Sequence, residues 1–210
     1  MRRLVFSLAA MALALVVASG VALAVNKVGT NGPDTLRGTN GDDNLLGKGG
    51  NDRLLSLAGD DNLLGGEGKD VVVGGTKPGA GFLGRDAYAS GGDKNLLGGP
   101  GNDWVNGGSG SDNVLGNAGN DVVVDGPDRE FSTDNVSAGK GNDVVGSRND
   151  PAYKDTVVCG PCFDRVLADP KDEVADDCER VAVTQSEVLE VFLSIPESFW
   201  EGLPPGAPGL

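Results

Sequence analysis

The chain has 210 residues, 35 of them glycine, with 5% aromatic residues, no histidine and a net charge of −14. Without imidazole the usual zinc ligand and general base are missing, and Ser-His-Asp and Cys-His catalysis are excluded. The negative charge repels nucleic acid and anionic membrane surfaces and makes cations the natural partners.

The N-terminus reads as an export signal. Arg2 and Arg3 precede an apolar stretch from Leu4 to Val17, and Ala22-Leu23-Ala24 has the small-x-small form of a cleavage site. Cleavage is expected after Ala24. An uncleaved anchor is the alternative, since Leu4 to Val25 nearly spans a bilayer, but Ser19, Gly20 and the A-x-A ending favour removal. The mature chain is then expected to be secreted, without membrane insertion, where disulfides persist and calcium is plentiful.

From Gly29 a nine-residue period takes over. GTNGPDTLR, GTNGDDNLL, GKGGNDRLL, SLAGDDNLL and GGEGKDVVV run unbroken to Val73. GGPGNDWVN, GGSGSDNVL and GNAGNDVVV follow from Gly98 to Val124, and AGKGNDVVG covers Ala138 to Gly146. In all of these, position four is Gly, position six Asp and position eight Leu or Val. Weaker copies fill the gaps. GFLGRDAYA (81–89) has Tyr88 at position eight, and REFSTDNVS (129–137) lacks the glycine. SGGDKNLL (90–97) is one residue short, with Asn95 expected where the aspartate should stand. The inserts GGTKPGA (74–80) and DGPD (125–128) read as loops.

Glycines at positions one, two and four are expected to permit the positive φ of a tight turn, and the x-Leu/Val-x ending reads as a very short strand. Such a strand is unstable alone. Stacked in parallel about 4.8 Å apart, successive strands satisfy each other's backbone groups and align their position-eight side chains into one interior. That interior is expected to be Leu36, Leu45, Leu54, Leu63, Val72, Val105, Val114, Val123 and Val145.

Each turn reverses the chain, so two nonamers make one coil and alternate repeats lie over one another. Asp34 is placed over Asp52, Asp43 over Asp61, Asp52 over Asp70 and Asp103 over Asp121, each pair within about 5 Å by the strand spacing. Carboxylates so close raise each other's pKa and oppose folding unless a cation lies between them. The donors on offer are carboxylate and carbonyl oxygens, which favours a hard ion. Many flexible oxygens suit calcium, whereas magnesium prefers a strict octahedron.

The pattern GGxGxD-x-Leu/Val-x resembles the nonapeptide of the RTX, or hemolysin-type, calcium-binding repeat family, over Gly29 to Gly146. The resemblance implies an all-β fold, a right-handed parallel β-roll (β-solenoid) holding multiple Ca2+ between neighbouring turns. Carried over residue by residue, it implies side-chain ligands Asp34, Asp43, Asp52, Asp61, Asp70, Asp103, Asp112, Asp121 and Asp143, with Asp86 and Asp134 from the weaker copies. It also implies carbonyl ligands from Gly32, Gly41, Gly50, Gly59, Gly68, Gly101, Gly110, Gly119 and Gly141, and from position-two residues. At position two, Thr30, Thr39, Lys48 and Leu57 keep the carbonyl but tighten the steric demand on the turn.

GAGFLG (79–84) matches the dinucleotide fingerprint G-x-G-x-x-G, but no helical pattern follows it. Neither HExxH nor GxSxG occurs, and no enzyme module is expected. Leu or Val recurs at position nine, in Leu46, Leu55, Leu64, Val73, Leu97, Leu115 and Val124, which strand alternation points outward. Neighbouring side chains cover this stripe, or it serves self-association or surface adhesion.

After Gly146 the glycines thin out but the rhythm persists in Asp155-Thr-Val-Val and Asp164-Arg-Val-Leu, which read as coils without calcium turns. Cys159-Gly160-Pro161-Cys162 spells a thioredoxin-like dithiol, so a thiol-disulfide oxidoreductase is the alternative function. Its surroundings oppose that reading, because Phe163 to Ala168 reads as strand where a redox site needs a helix. The segment also resembles a C-terminal cap, CGPG…D-x-V…AD…DCE-x-V, found after such repeats in secreted bacterial proteins. That resemblance implies a Cys159–Cys178 disulfide with Cys162 left over, against the alternative of a Cys159–Cys162 bridge, since sequence does not fix connectivity.

Thr184-Gln-Ser-Glu187 forms a capping box before Val188, Leu189, Val191, Phe192 and Ile195, predicting a helix placed to plug the open end of the roll. Glu197 to Leu210 reads as a loose Pro/Gly-rich tail. The expected organisation is a signal peptide over 1–24, a calcium-binding β-roll over 25–146, a disulfide-bearing β cap over 147–183, and a short helix with tail over 184–210.

Overall fold

The computed structural model describes residues 24–75, 95–126, 132–149, 152–184, 187, 190–191 and 194–205. Each coil supplies two short strands. In chain order they are β1 (Asn26–Val28) and β2 (Thr35–Arg37), β3 (Asn44–Gly49) and β4 (Arg53–Leu55), and β5 (Asn62–Glu67) and β6 (Val71–Val73). Next come β7 (Asn95–Pro100) and β8 (Trp104–Asn106), β9 (Asn113–Ala118) and β10 (Val122–Val124), and β11 (Asn135–Lys140) and β12 (Val144–Ser147). Last are β13 (Thr156–Val158) and β14 (Arg165–Ala168), then β15 (Glu173–Val174) and β16 (Arg180–Ala182). Odd strands form one eight-stranded sheet and even strands another, and every pairing is parallel between consecutive members. The fold is an all-β solenoid of two facing parallel sheets.

The register follows the repeat. Leu45 pairs with Leu63, Leu63 with Leu96 and Leu96 with Val114 in the first sheet. Leu54 pairs with Val72, Val72 with Val105 and Val105 with Val123 in the second. These position-eight side chains form one core cluster together with Val136, Val145, Val157 and Val166, and Leu36 packs against its end. Fully burying one Leu or Val is worth about 1.5–3 kcal/mol, so a three-residue strand becomes stable only as a member of the stack.

Inserts are absorbed without breaking the register. Asn62 and Asn95 bond across a separation of 33 residues, where Asn44 and Asn62 are 18 apart. This corrects the expected place of Asn95. It pairs with Asn62 at position seven, so position six falls on Lys94, outside the described residues. The weak copy with Asp86 and Tyr88, the GAGFLG segment and the middle of both inserts also lie outside them.

The outer face of the second sheet is where the tail goes. Val71, Val73, Leu55, Leu57, Trp104, Val122 and Val144 form a second cluster with Ile195 and Phe199, and Leu203 packs against it. Arg53 donates to the Pro205 carbonyl at 3.1 Å, and Arg165 donates to the Ser194 hydroxyl at 2.9 Å and its carbonyl at 2.8 Å. The chain from Ser194 to Pro205, including helix α1 (Glu197–Gly202), therefore runs along the flank of the roll. The tail does not hang loose, contrary to the expectation from sequence, while most of the helix expected to plug the end lies outside the described residues, and its Val191 packs with Leu167 and Ala182.

The capping box is formed. The Thr184 N–H donates to the Glu187 carboxylate at 2.8 Å, and the Glu187 N–H donates to Thr184 Oγ1 at 3.4 Å. No helix of the described residues is long and apolar enough to cross a membrane.

Candidate metal centre

The turns joining the strands bring the position-six aspartates into two ladders, one along each edge of the roll. In the ladder entering the second sheet, the N–H of each aspartate donates to Oδ1 of the one a coil further on. Asp34 donates to Asp52 at 2.8 Å, Asp52 to Asp70 at 2.8 Å, and Asp70 to Asp103 at 2.7 Å. Asp103 donates to Asp121, Asp121 to Asp143 and Asp143 to Asp164, each at 2.8 Å. The other ladder repeats this from Asp43 to Asp61 at 2.7 Å, Asp112 to Asp134 at 2.7 Å and Asp134 to Asp155 at 2.8 Å. The sequence placed these carboxylates over one another, and the structure links them through one oxygen each.

The second oxygen is the chemically unsettled one. Oδ2 of Asp52, Asp70, Asp103, Asp121, Asp143 and Asp164 is buried without a hydrogen-bond partner. Asp70, Asp103, Asp121 and Asp143 are 0% exposed. A buried ionised carboxylate without a compensating charge is strongly unfavourable. Oδ2 of Asp52, Asp70, Asp103 and Asp121 points back at the position-one glycine of its own nonamer, which explains that glycine. A Cβ on Gly65 would lie 2.5 Å from Asp70 Oδ2 and 2.5 Å from the Gly98 carbonyl oxygen of the next coil. Position one is thus glycine for space rather than for φ. Positive φ belongs to position four, as in Gly50 (103°), Gly68 (140°) and Gly119 (145°), and to several position-two residues, including Lys48 (87°) and Leu57 (96°).

Electrostatics follow from the stacking. Burial, opposed by the N–H bond to Oδ1 and reinforced by the neighbouring carboxylates, pushes the carboxyl of Asp121 up to about 9 and that of Asp103 up to about 8. The same causes bring Asp143 to about 7 and Asp70 and Asp164 to about 6, and raise Asp52. A row of buried acceptors that resists ionisation fits a hard cation, which would supply the missing positive charge. All the donors are oxygen, from carboxylates and nearby carbonyls, as calcium prefers.

The position-four glycines named from sequence stack on one another. A Cβ on Gly50 would lie 2.5 Å from the Gly32 carbonyl carbon, and Gly68 sits against Gly50, Gly101 against Gly68, Gly119 against Gly101 and Gly141 against Gly119. Gly59 stacks in the same way on Gly41. Gly110 shares the positive φ, at 117°. Thr30 and Thr39 do more than tighten their turns. The Thr30 hydroxyl donates to Asp34 Oδ2 at 2.9 Å and the Thr39 hydroxyl to Asp43 Oδ1 at 3.1 Å, where each ladder begins.

The ladders continue past the last clear nonamer, which sequence reasoning missed. Asp155 and Asp164 occupy position six, and the Asp155 N–H donates to Asp172 Oδ1 at 3.1 Å. Their signal was the Asp-x-Val spacing, obscured by the lost glycines. Asp125 stands in place of a position-one glycine, and its carboxylate lies within 4.8 Å of those of Asp134 and Asp155, all three buried. The Asn149 side chain donates to Asp125 at 3.1 Å and to Asp155 at 3.0 Å, tying this group together.

At the last coils carboxylates take the N–H groups that a further turn would take. Asp177 accepts from Gly160 at 2.9 Å and Glu179 from Asp164 at 2.8 Å. Cys159 and Cys178 form a disulfide across 19 residues, and Cys162 is exposed with φ of 107° at position four. The CGPC pair is therefore not joined, and the oxidoreductase reading finds no support.

The family model described as RTX calcium-binding nonapeptide repeat (4 copies) matches residues 28–63, 46–76 and 88–123. No curated protein and no solved structure matches the chain.

Proposed function

From the premise that this chain carries RTX calcium-binding nonapeptide repeats, and so binds calcium in a structural role, we propose that it is an exported protein whose β-roll folds on binding several Ca2+ ions. The signal peptide is removed after Ala24. The ions are held by Asp34, Asp43, Asp52, Asp61, Asp70, Asp103, Asp112, Asp121, Asp134 and Asp143, with Asp86 in the weak copy, and by turn carbonyls. Asp155 and Asp164 extend the set. Bound calcium supplies positive charge to the ladders, and the chain's own part is to aim one oxygen of each carboxylate inward while the other holds the preceding coil in register.

The observation that carries this reading is the row of buried Oδ2 atoms without partners from Asp52 to Asp164. In a cytoplasm poor in calcium the acidic chain stays expanded and fit for export. At millimolar calcium outside, sites of about 10⁻⁴ to 10⁻³ M fill and order the coils. The roll then serves as a scaffold or adhesion module. Of the position-nine residues, Leu55 and Val73 are buried and Val124 is partly covered beneath the tail, so an adhesive face rests on Leu46, Leu64, Leu97 and Leu115 of the first sheet.

Far-UV circular dichroism of residues 25–210, titrated with calcium and with magnesium as control, tests the proposal. A cooperative gain of β signal with calcium alone is expected, and the same β spectrum without metal would overturn it.

A further inference from the structure

Val25 stands at the head of the first ladder. In later coils of the first sheet the same register holds Asp43, Asp61, Asp112, Asp134, Asp155 and Asp172. Val25 has no carboxylate to add, yet its nitrogen makes the ladder bond, donating to Asp43 Oδ1 at 2.6 Å. Its carbonyl accepts from the Asn44 N–H at 2.9 Å, and its side chain packs against the core. Asp43 itself is 0% exposed. Among the described residues, the first held in register by the roll is thus the one that follows Ala22-Leu23-Ala24.

We propose that hydrolysis of the Ala24–Val25 peptide bond gives the roll a cation of its own, the α-ammonium of Val25, which pairs with Asp43. This rests on the reading of Ala24 as the processing site. The step consumes one water and uses a signal peptidase. The C–N bond breaks, Ala24 leaves as a carboxylate, and the Val25 nitrogen keeps its electron pair and is protonated at neutral pH. The nitrogen that donated as a neutral amide then donates as an ammonium from the same place, in a charge-assisted bond.

The ladder's geometry explains why a single charge suits this end. Further along, each pair of neighbouring coils offers two aspartates that would hold a divalent ion. Between Val25 and Asp43 there is one carboxylate, and one ammonium balances it. Threonine hydroxyls hold the leading aspartate of both ladders, Thr39 on Asp43 and Thr30 on Asp34, and the Val25 nitrogen is what Asp43 has in addition. Processing at Ala24 therefore completes the first turn and makes it less dependent on metal than those that follow.

Intact mass of the secreted chain checks the premise. It must begin at Val25, and any other N-terminus overturns the proposal. Chains beginning at free Val25, at α-acetylated Val25 and at Leu23 are then compared in calcium and urea titrations. The free Val25 amine is expected to raise the folding equilibrium constant about tenfold over both forms in which the Val25 nitrogen is an uncharged amide. Equal midpoints would overturn the proposal while leaving calcium-driven folding intact. Absence of any calcium response in all three forms would instead defeat the calcium reading, and the urea midpoints would still decide the ammonium pair. In Asp43→Asn the advantage of the free amine should vanish, and an advantage that persists there also overturns it. The acetylated form keeps Asp43 intact, so the comparison survives if Asp43→Asn does not fold.

Discussion

The coils up to Gly146 and those after it share one core and one register but are held at their edges by different means. In the first group the turns are glycine-rich and pack so closely that a carboxylate oxygen is sealed inside with nothing to bond. In the second, one such oxygen persists at Asp164, but the Cys159–Cys178 disulfide, Asp177 and Glu179 also close the turns with groups the chain carries itself. Under the proposed function the first arrangement makes folding conditional on a cation, and the second supplies an end on which the conditional coils stack.

The largest expected effect comes from removing a carboxylate at mid-ladder. Asp121→Asn keeps the shape but not the charge, at a site pressed by Asp103 and Asp143. With calcium present it should raise the midpoint of calcium-induced folding by about tenfold or more, the loss of an ionic ligand being worth about 1.5–3 kcal/mol. Without calcium it should leave the chain no less structured than the parent, because a buried charge has gone. A loss of structure equal in both conditions would erase the distinction between the two groups of coils.

Breaking the disulfide probes the other side. Cys178→Ala should lower stability by about 3 kcal/mol, the entropy of a loop of this size, seen as a lower urea midpoint in saturating calcium. The calcium-binding coils should still form.

Acidity sharpens the contrast with a sign of its own. Asp121, Asp103, Asp143 and Asp70 have folded pKa values of about 9, 8, 7 and 6, all raised above the ordinary 3.8. Groups raised in the folded state favour it most below their unfolded pKa and withdraw that support as pH rises through the folded values. The metal-free protein should therefore gain β signal as pH falls from 9 towards 4. The calcium form should behave in the opposite way, needing more calcium as protons compete for the same oxygens. The smallest effect belongs to the tail, where Thr184→Ala should cost about 1 kcal/mol by removing the cap, visible as faster exchange around Glu187.

Much of the roll was legible because its period is short and its core position unambiguous. Leu45, Leu63 and Leu96 pair as the spacing requires, and Asp52 lies over Asp34 for the same reason. What escaped reading depends on contacts that no local pattern encodes. The tail's Ile195 and Phe199 settle on Trp104 and Val122, distant in sequence. Asn95 was misplaced because the short copy could be aligned to either side of its missing residue, and strand pairing chose position seven. Asp155 and Asp164 lost their glycine markers while keeping their place in the ladder, so spacing alone had to reveal them.

Hydrogen exchange resolved along the chain, with calcium and with a chelator, tests the central claim most directly. The amides of Leu54, Val72, Val105 and Val123 should be protected with calcium and exchange freely without it, while Val157 and Val166, next to the disulfide, keep more of their protection. Equal protection of both groups in the absence of calcium would contradict the account.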